Sequence, residues 1–262
     1  MFPPIPTLDH VVVNVRDRMD EAVEVYRGLG FTMTPRGYHT LGSMNHLAIF
    51  GTDYLELIAA DPQAAVPRAD VMQFPCGLNG LVFGSEDSAA TYAACAAAGV
   101  PVQAPVEFSR PVELPGGARD AVFRTVHLQA GKIPAGRVYF CQHFTRDLVW
   151  RDEWRHHANG VIGIAALVMV ADDVDAPAAV FAQMFGRDAL AAIPGGQRLA
   201  VGLSKVEIIS PGECAARYGE AAPAAEGRAQ YMAGLVLRSR SVNRIVPASD
   251  ATGALLDLRV TD

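Results

Sequence analysis

The stretch LDHVVVNVRDRMDEAVEVYRGLGF, Leu8 to Phe31, and its sequel NHLAIFGTDYLELIAADP, Asn45 to Pro62, together decide the fold. The first reads as a strand carrying His10, followed by an amphipathic helix from about Arg18 to Leu29 whose apolar residues Ala22, Val25, Tyr26 and Leu29 share one side. Gly30 ends that helix, as a glycine beyond a C-terminus does. The second reads as a hairpin whose last strand carries Glu56. Strand alternation puts Leu8, His10, Val12 and Asn14 on one face, and Tyr54, Glu56 and Ile58 on one face of the closing strand. A histidine and a carboxylate on neighbouring strands of one sheet can share a divalent cation.

The same pattern returns. ALVMVADDVDAPAAVFAQMFGR, Ala166 to Arg187, lies over His10 to Phe31 without a gap, and KVEIISP, Lys205 to Pro211, sets Glu207 over Glu56. A weaker copy stands between them: a strand at Gly80 to Phe83, an alanine-rich helix at Ser88 to Ala98 and a stop at Gly99, with later strands at Ala121 to Leu128 and Arg137 to Phe144. A fourth, abbreviated copy closes the chain, with strands at Gly234 to Arg238 and Ala254 to Val260 and no helix. The charged and aromatic stretch Thr145 to Gly160 reads as a connector packed over an edge by Trp150 and Trp154, and Pro211 to Arg228 as a second, mobile one. The expected organisation is residues 1–147 as a first domain of two modules, 148–160 as connector and 161–262 as an abbreviated second domain.

Composition excludes several classes. At 262 residues, 50% of them apolar, the chain can bury substantial cores, and no apolar run approaches the roughly 20 residues that span a bilayer. The opening MFPPIPTLDH has neither a basic nor an apolar leader segment, so a cytoplasmic location is the expectation. The net charge of -6 and scattered Lys and Arg offer nothing to nucleic acid. Four cysteines, Cys76, Cys95, Cys141 and Cys214, form no CxxC pair and read as free thiols. The expected partner is a small-molecule substrate, with neither nucleic acid nor membrane and with a homodimer left open.

Strand, helix and three strands, repeated in pairs with a histidine on the first strand and LEL on the fourth, resemble the vicinal oxygen chelate superfamily of glyoxalases, extradiol dioxygenases and bleomycin-resistance proteins. The resemblance rests on LDHVVV (8 to 13), VYRGLGF (25 to 31), LGSMNHL (41 to 47) and YLELI (54 to 58), and on YFCQHFTRDLVWRDEWRHHANG (139 to 160), which looks like the midsection of glyoxalase-like domain proteins. It implies an α+β fold of βαβββ modules paired into cupped mixed sheets. It also implies a divalent metal ion (Fe, Mn, Zn, Ni or Mg) held by His10 and Glu56 of the first module and His143 of the second. The remaining first-strand place is Gly80, which would leave coordination positions open for water and a chelating substrate. The chemistry implied is lyase or isomerase type on a carbonyl, enol or diol. An Fe(II) ring-cleaving dioxygenase and a non-catalytic binding or resistance protein are the alternatives.

Glu56, between Leu55 and Leu57, points where a lone charge is costly, which a cation would relieve. His143 faces inward only if the strand register is right; a shift of one would substitute Gln142. His46 and His127, on third strands, are candidate acid or base groups beside Glu56, and Asn14, Asn45, Tyr54 and Cys141 are candidate substrate contacts. His156 and His157 read as surface residues, and LPGGAR (Leu114 to Arg119) as a hairpin turn. In the second half Ala166 takes the place of His10 and only Asp257 lies near that of His143, so that half reads as a metal-free structural copy.

Overall fold

The computed structural model describes residues 6–66 and 68–261; residues 1–5, part of the stretch searched for a leader, lie outside the described residues. No described helix is long and apolar enough to cross a membrane. The first module is β1 (Leu8–Arg16), α1 (Met19–Gly28), β2 (Gly37–Tyr38), β3 (Ser43–Ile49) and β4 (Tyr54–Ala60). A short helix α2 (Ala69–Gln73) leads to the second: β5 (Gly77–Gly84), α3 (Ser88–Ala97), β6 (Val106–Val112), β7 (Arg119–His127) and β8 (Arg137–His143). The third is β9 (Val161–Ala171), α4 (Asp175–Phe185), β10 (Leu190–Ile193), β11 (Gly196–Val201) and β12 (Ser204–Ile209). After α5 (Pro211–Tyr218) come β13 (Gln230–Ser239), β14 (Arg244–Val246) and β15 (Leu255–Val260), a fourth module without its helix.

Two mixed sheets result, ordered β2-β3-β4-β1-β5-β8-β7-β6 and β10-β11-β12-β9-β13-β15-β14. In each, the first strand of a module lies parallel to its last, and the two modules meet antiparallel through their first strands. The repeat read from the sequence is reproduced in the pairing: Val12 stands opposite Glu56 as Val168 stands opposite Glu207. The first sheet curls until its edges nearly meet, the Thr40 N–H donating to the Ser109 carbonyl at 3.0 Å.

One face of both sheets and the buried sides of α1, α3 and α4 share a single core, which includes Val11, Leu57, Tyr26, Cys95, Phe181 and Leu235. The curled face of the first sheet holds its own cluster around Val12, Ile58, Phe123, Tyr139 and Cys141. Strands covered on both faces read as continuous apolar runs, which is why VVV follows His10. Within the expected connector, Leu148, Val149 and Trp150 close over that cluster.

Three expectations are corrected. Pro211 to Arg228 is not all connector: Ser210 Oγ accepts from the Glu213 N–H, Pro211 begins α5, and Cys214 and Tyr218 fill the inner face of the second sheet. That start signal, Ser-Pro-Gly-Glu, is legible in the sequence. His157 is not a surface residue, for it accepts from the Thr32 N–H and donates to the Ile49 carbonyl, against Phe31 and Phe50; His156 is exposed as expected. Simple alternation fails in β1, where Leu8 pairs with Phe83 but His10 with Val82, so Asp9 is the extra residue of a bulge. Leu8 therefore turns into the core between the sheets, while Asp9 joins His10 on the inner side.

Candidate functional site

The curled first sheet encloses a cavity of about 70 Å³, lined among others by His10, Tyr54, Glu56, Asn45, His127 and Tyr139. His10 is buried at its base, its ring stacked on Tyr54 with centroids 4.3 Å apart. Its Nδ1 donates to Asp9 Oδ1 at 2.6 Å, and His143 Nε2 donates to the same oxygen at 3.0 Å. Burial opposes ionisation of Asp9, yet the His143 and His10 imidazoles hold its carboxyl well below the usual carboxylate range. Among the described residues, Asp9, His10 and His143 form one group of donors, all within 4.8 Å of one another, that could hold a metal ion.

With Nδ1 donating, His10 Nε2 turns a lone pair toward the cavity. There it accepts from the Tyr139 hydroxyl at 3.4 Å and faces Glu56 Oε2 at 3.6 Å. Glu56 Oε1 accepts from Asn45 Nδ2 at 2.7 Å, so Asn45 fixes the carboxylate. Two ligands about 2.1 Å from a common ion stand roughly 3.0 to 3.6 Å apart. The His10 to Glu56 separation matches that range, whereas 2.6 Å between Asp9 and His10 is a hydrogen-bond length. The donor chemistry thus fits a divalent ion on the cavity side of His10, with Asp9 behind it as the carboxylate that orients a ligating imidazole.

Of the expected trio, His10 and Glu56 meet, but Glu56 lies outside the group that contains His143. Register gives the reason: Gly80 pairs with Arg137 as His10 pairs with Tyr54, so the counterpart of Glu56 in the second module is Tyr139, two residues beyond Arg137. His143 does face inward, among Tyr54, Phe123 and Trp150, with its Nδ1 buried and unpartnered. Gln142 faces the other way, accepting from Ser88 at the start of α3.

Gly80 opens no coordination position. A Cβ there would sit 2.6 Å from Val12 Cβ, so the glycine permits close approach of β1 beside the Asn79 bulge. His46 points away from the cup, donating to the Thr34 carbonyl and accepting from Arg36 Nε, because Asn45 and Leu47 take the inward positions of β3. Asn14 is wholly buried, its Nδ2 donating to the carbonyls of Val71, Phe74 and Pro75; it anchors the segment after β4 and has no donor left for a substrate. Cys141 lines the cavity as a thiol, since burial, then the charges of Asp9 and Glu56, push its pKa far up.

His127 lies within the cavity, stacked on Tyr139, and burial with nearby Arg137 and Arg68 pushes its pKa down to about 4. His39, absent from the sequence reading, also lines the cavity and is lowered to about 4 by burial and the Arg110 and Arg68 charges. Both are neutral at pH 7 and able to accept a proton. Asp9 was legible only as a neighbour of His10, Tyr139 lay in the stretch 139 to 160 without a role assigned to it, and Arg68 and Arg137 carried no local motif. In the second sheet, Glu207 is held by Lys205 at 2.9 Å and Arg217 at 2.6 Å, and Asp257 pairs with Arg259, so cations of the chain itself meet both carboxylates.

A family model described as a glyoxalase-like domain matches residues 8–185. No curated protein sequence matches the chain. Among solved structures, a hypothetical protein from Staphylococcus aureus superposes with a TM-score of 0.75 at 13% identity, covering 98% of this chain and 100% of that one. A mutant of 4-hydroxymandelate synthase from Streptomyces coelicolor matches with a TM-score of 0.52 at 14% identity, over 91% of this chain and 72% of that one. A xylose isomerase-like TIM barrel/4-hydroxyphenylpyruvate dioxygenase fusion protein gives 0.55 at 15% identity, over 96% of this chain and 39% of the other. At these identities the likeness is one of fold.

Proposed function

The chain belongs to the glyoxalase-like domain family of the vicinal oxygen chelate superfamily, and from that premise we propose a divalent-metal-dependent enzyme acting on a small carbonyl, enol or diol by lyase or isomerase chemistry. The observation that carries the reading is His10 Nε2 facing Glu56 Oε2 across 3.6 Å inside the cavity, the separation of two ligands that share one ion. His10 and Glu56 would hold the ion, and Asp9 would keep His10 in the right tautomer. The bound ion would supply Lewis acidity toward a substrate oxygen.

The chain's own groups do the rest. Tyr54, stacked on His10, fixes the plane of the imidazole. Tyr139 stays protonated, because burial and then the Glu56 charge raise its pKa far above the ordinary value, so its hydroxyl donates to a substrate oxygen. Glu56, tied to Asn45 through one oxygen, is the nearest carboxylate able to move a proton, and neutral His127 is a second acceptor in the same cavity. Trp150 and its neighbours exclude water from the end of the cup.

The second reading is Fe(II) ring-cleaving dioxygenation, favoured by the two-histidine, one-carboxylate make-up of Asp9, His10 and His143. Metal analysis of protein purified without a histidine tag, with Glu56→Gln and His143→Ala alongside, tests both. The leading reading expects about one divalent ion per chain, lost in Glu56→Gln and kept in His143→Ala. The reverse pattern moves the ion into the Asp9 group. No ion in the wild type would favour a binding protein and end the proposal.

A further inference from the structure

We infer that the neck of this cavity is a carboxylate-recognition site built on Arg137, so that the substrate is an organic anion with an apolar body. The assignment deepens the enzymatic reading above and rests on it for the identity of the reacting end. An outer cavity of about 660 Å³ adjoins the inner one at a neck marked by the residues that line both, among them Arg68, His127 and Arg137. The outer walls are largely apolar, with Phe74, Leu128, Ile133 and Val138 along them and the exposed side chains of Leu41 and Val106 at the rim.

At the neck, positive charge is in excess. Arg137 donates through Nε to Asn79 Oδ1 at 2.8 Å and through Nη1 to Asp70 Oδ2 at 3.4 Å, while its Nη2 is buried without a partner. Arg68 holds both oxygens of the same Asp70 at 2.7 Å. Two guanidinium groups therefore share one carboxylate, and the longer, weaker contact is that of Arg137. A buried guanidinium donor left unpaired is costly, and a ligand oxygen that accepts from it removes the cost. Asn79 is the bulged residue of β5, so the irregularity that makes Gly80 necessary also fixes the plane of Arg137. His39 and His127, both lowered to about 4, are neutral near pH 7 and add no competing charge.

Calorimetric titration with hydrocinnamate, its amide and its alcohol tests the inference. The acid is expected to bind the wild-type protein about tenfold more tightly than the amide or alcohol. Arg137→Met should remove that preference with metal content unchanged, and Arg137→Lys should keep part of it. His10→Ala should retain the preference, because Arg137 and not the ion carries it. Equal binding of acid and amide, binding of neither, a preference that survives in Arg137→Met, or one lost in His10→Ala would each overturn the assignment. Metal content of the same samples is read separately, so an absent ion would end the enzymatic reading while leaving the anion site testable.

Discussion

Asp9 Oδ1 accepts from the Nδ1 of His10, its own neighbour in β1, at 2.6 Å, a contact that regular strand geometry forbids because successive side chains leave on opposite faces. The bulge opposite Val82 and Phe83 permits it, and the same oxygen also receives His143. One carboxylate thereby holds a histidine from each of the two modules.

Replacing that carboxylate by the isosteric amide should weaken metal binding without abolishing it. Partners that orient a ligating histidine typically contribute about 10- to 100-fold in affinity, and that is the loss expected for Asp9→Asn in a metal titration followed by atomic emission. Unchanged affinity would remove Asp9 from the site.

Gly80→Ala should destabilise the protein, because a Cβ would meet Val12 Cβ and Cγ2 at 2.6 Å in the middle of paired strands. Overpacking of this kind costs about 1 to 3 kcal/mol, read as a lower midpoint in urea. Metal exchange should be unaffected; faster or slower exchange with undiminished stability would restore the open coordination position expected beside Gly80.

Asp53 makes stability depend on pH. It is buried, with its Oδ1 accepting from the Ile164 N–H of the other sheet, and burial pushes its pKa up to about 6 from 3.8 despite that bond and the nearby Arg238. A carboxyl whose folded pKa is raised binds its proton more tightly when folded, so its contribution is full below pH 3.8 and is lost as pH rises through about 6. The total is on the order of 3 kcal/mol. Thermal unfolding across that window should show the fall in wild type and a flatter profile in Asp53→Asn; parallel profiles would refute it.

Ser210→Ala should cost about 1 kcal/mol, the usual value of an N-cap, since its Oγ accepts from the Glu213 N–H at the start of α5. Because α5 fills the second cup and not the first, metal content and the Arg137 preference for acids should not move. A change in either would show that the two cups communicate.

The sequence alone carried the architecture: the repeat of strand, helix and glycine, the apolar runs of strands covered on both sides, and the correspondence of Glu207 with Glu56 all follow from local periodicity and its recurrence. His10 and Glu56 were legible for the same reason, being polar residues at inward places of otherwise apolar strands. Ser210 and Glu213 were legible too, although composition pointed to a loop. Only the tertiary structure decided the membership of the site. A bulge moves a side chain across the sheet by inserting one residue, and the sequence does not mark where that residue is, so Asp9 and Asn79 could not be placed. Tyr139 took the place expected of His143 because pairing with β5, made across a long separation in the chain, sets the register of β8. Arg68 and Arg137 meet over Asp70 only when the curled sheet brings the segment after β4 against β8, a convergence of charges that no short window of sequence contains.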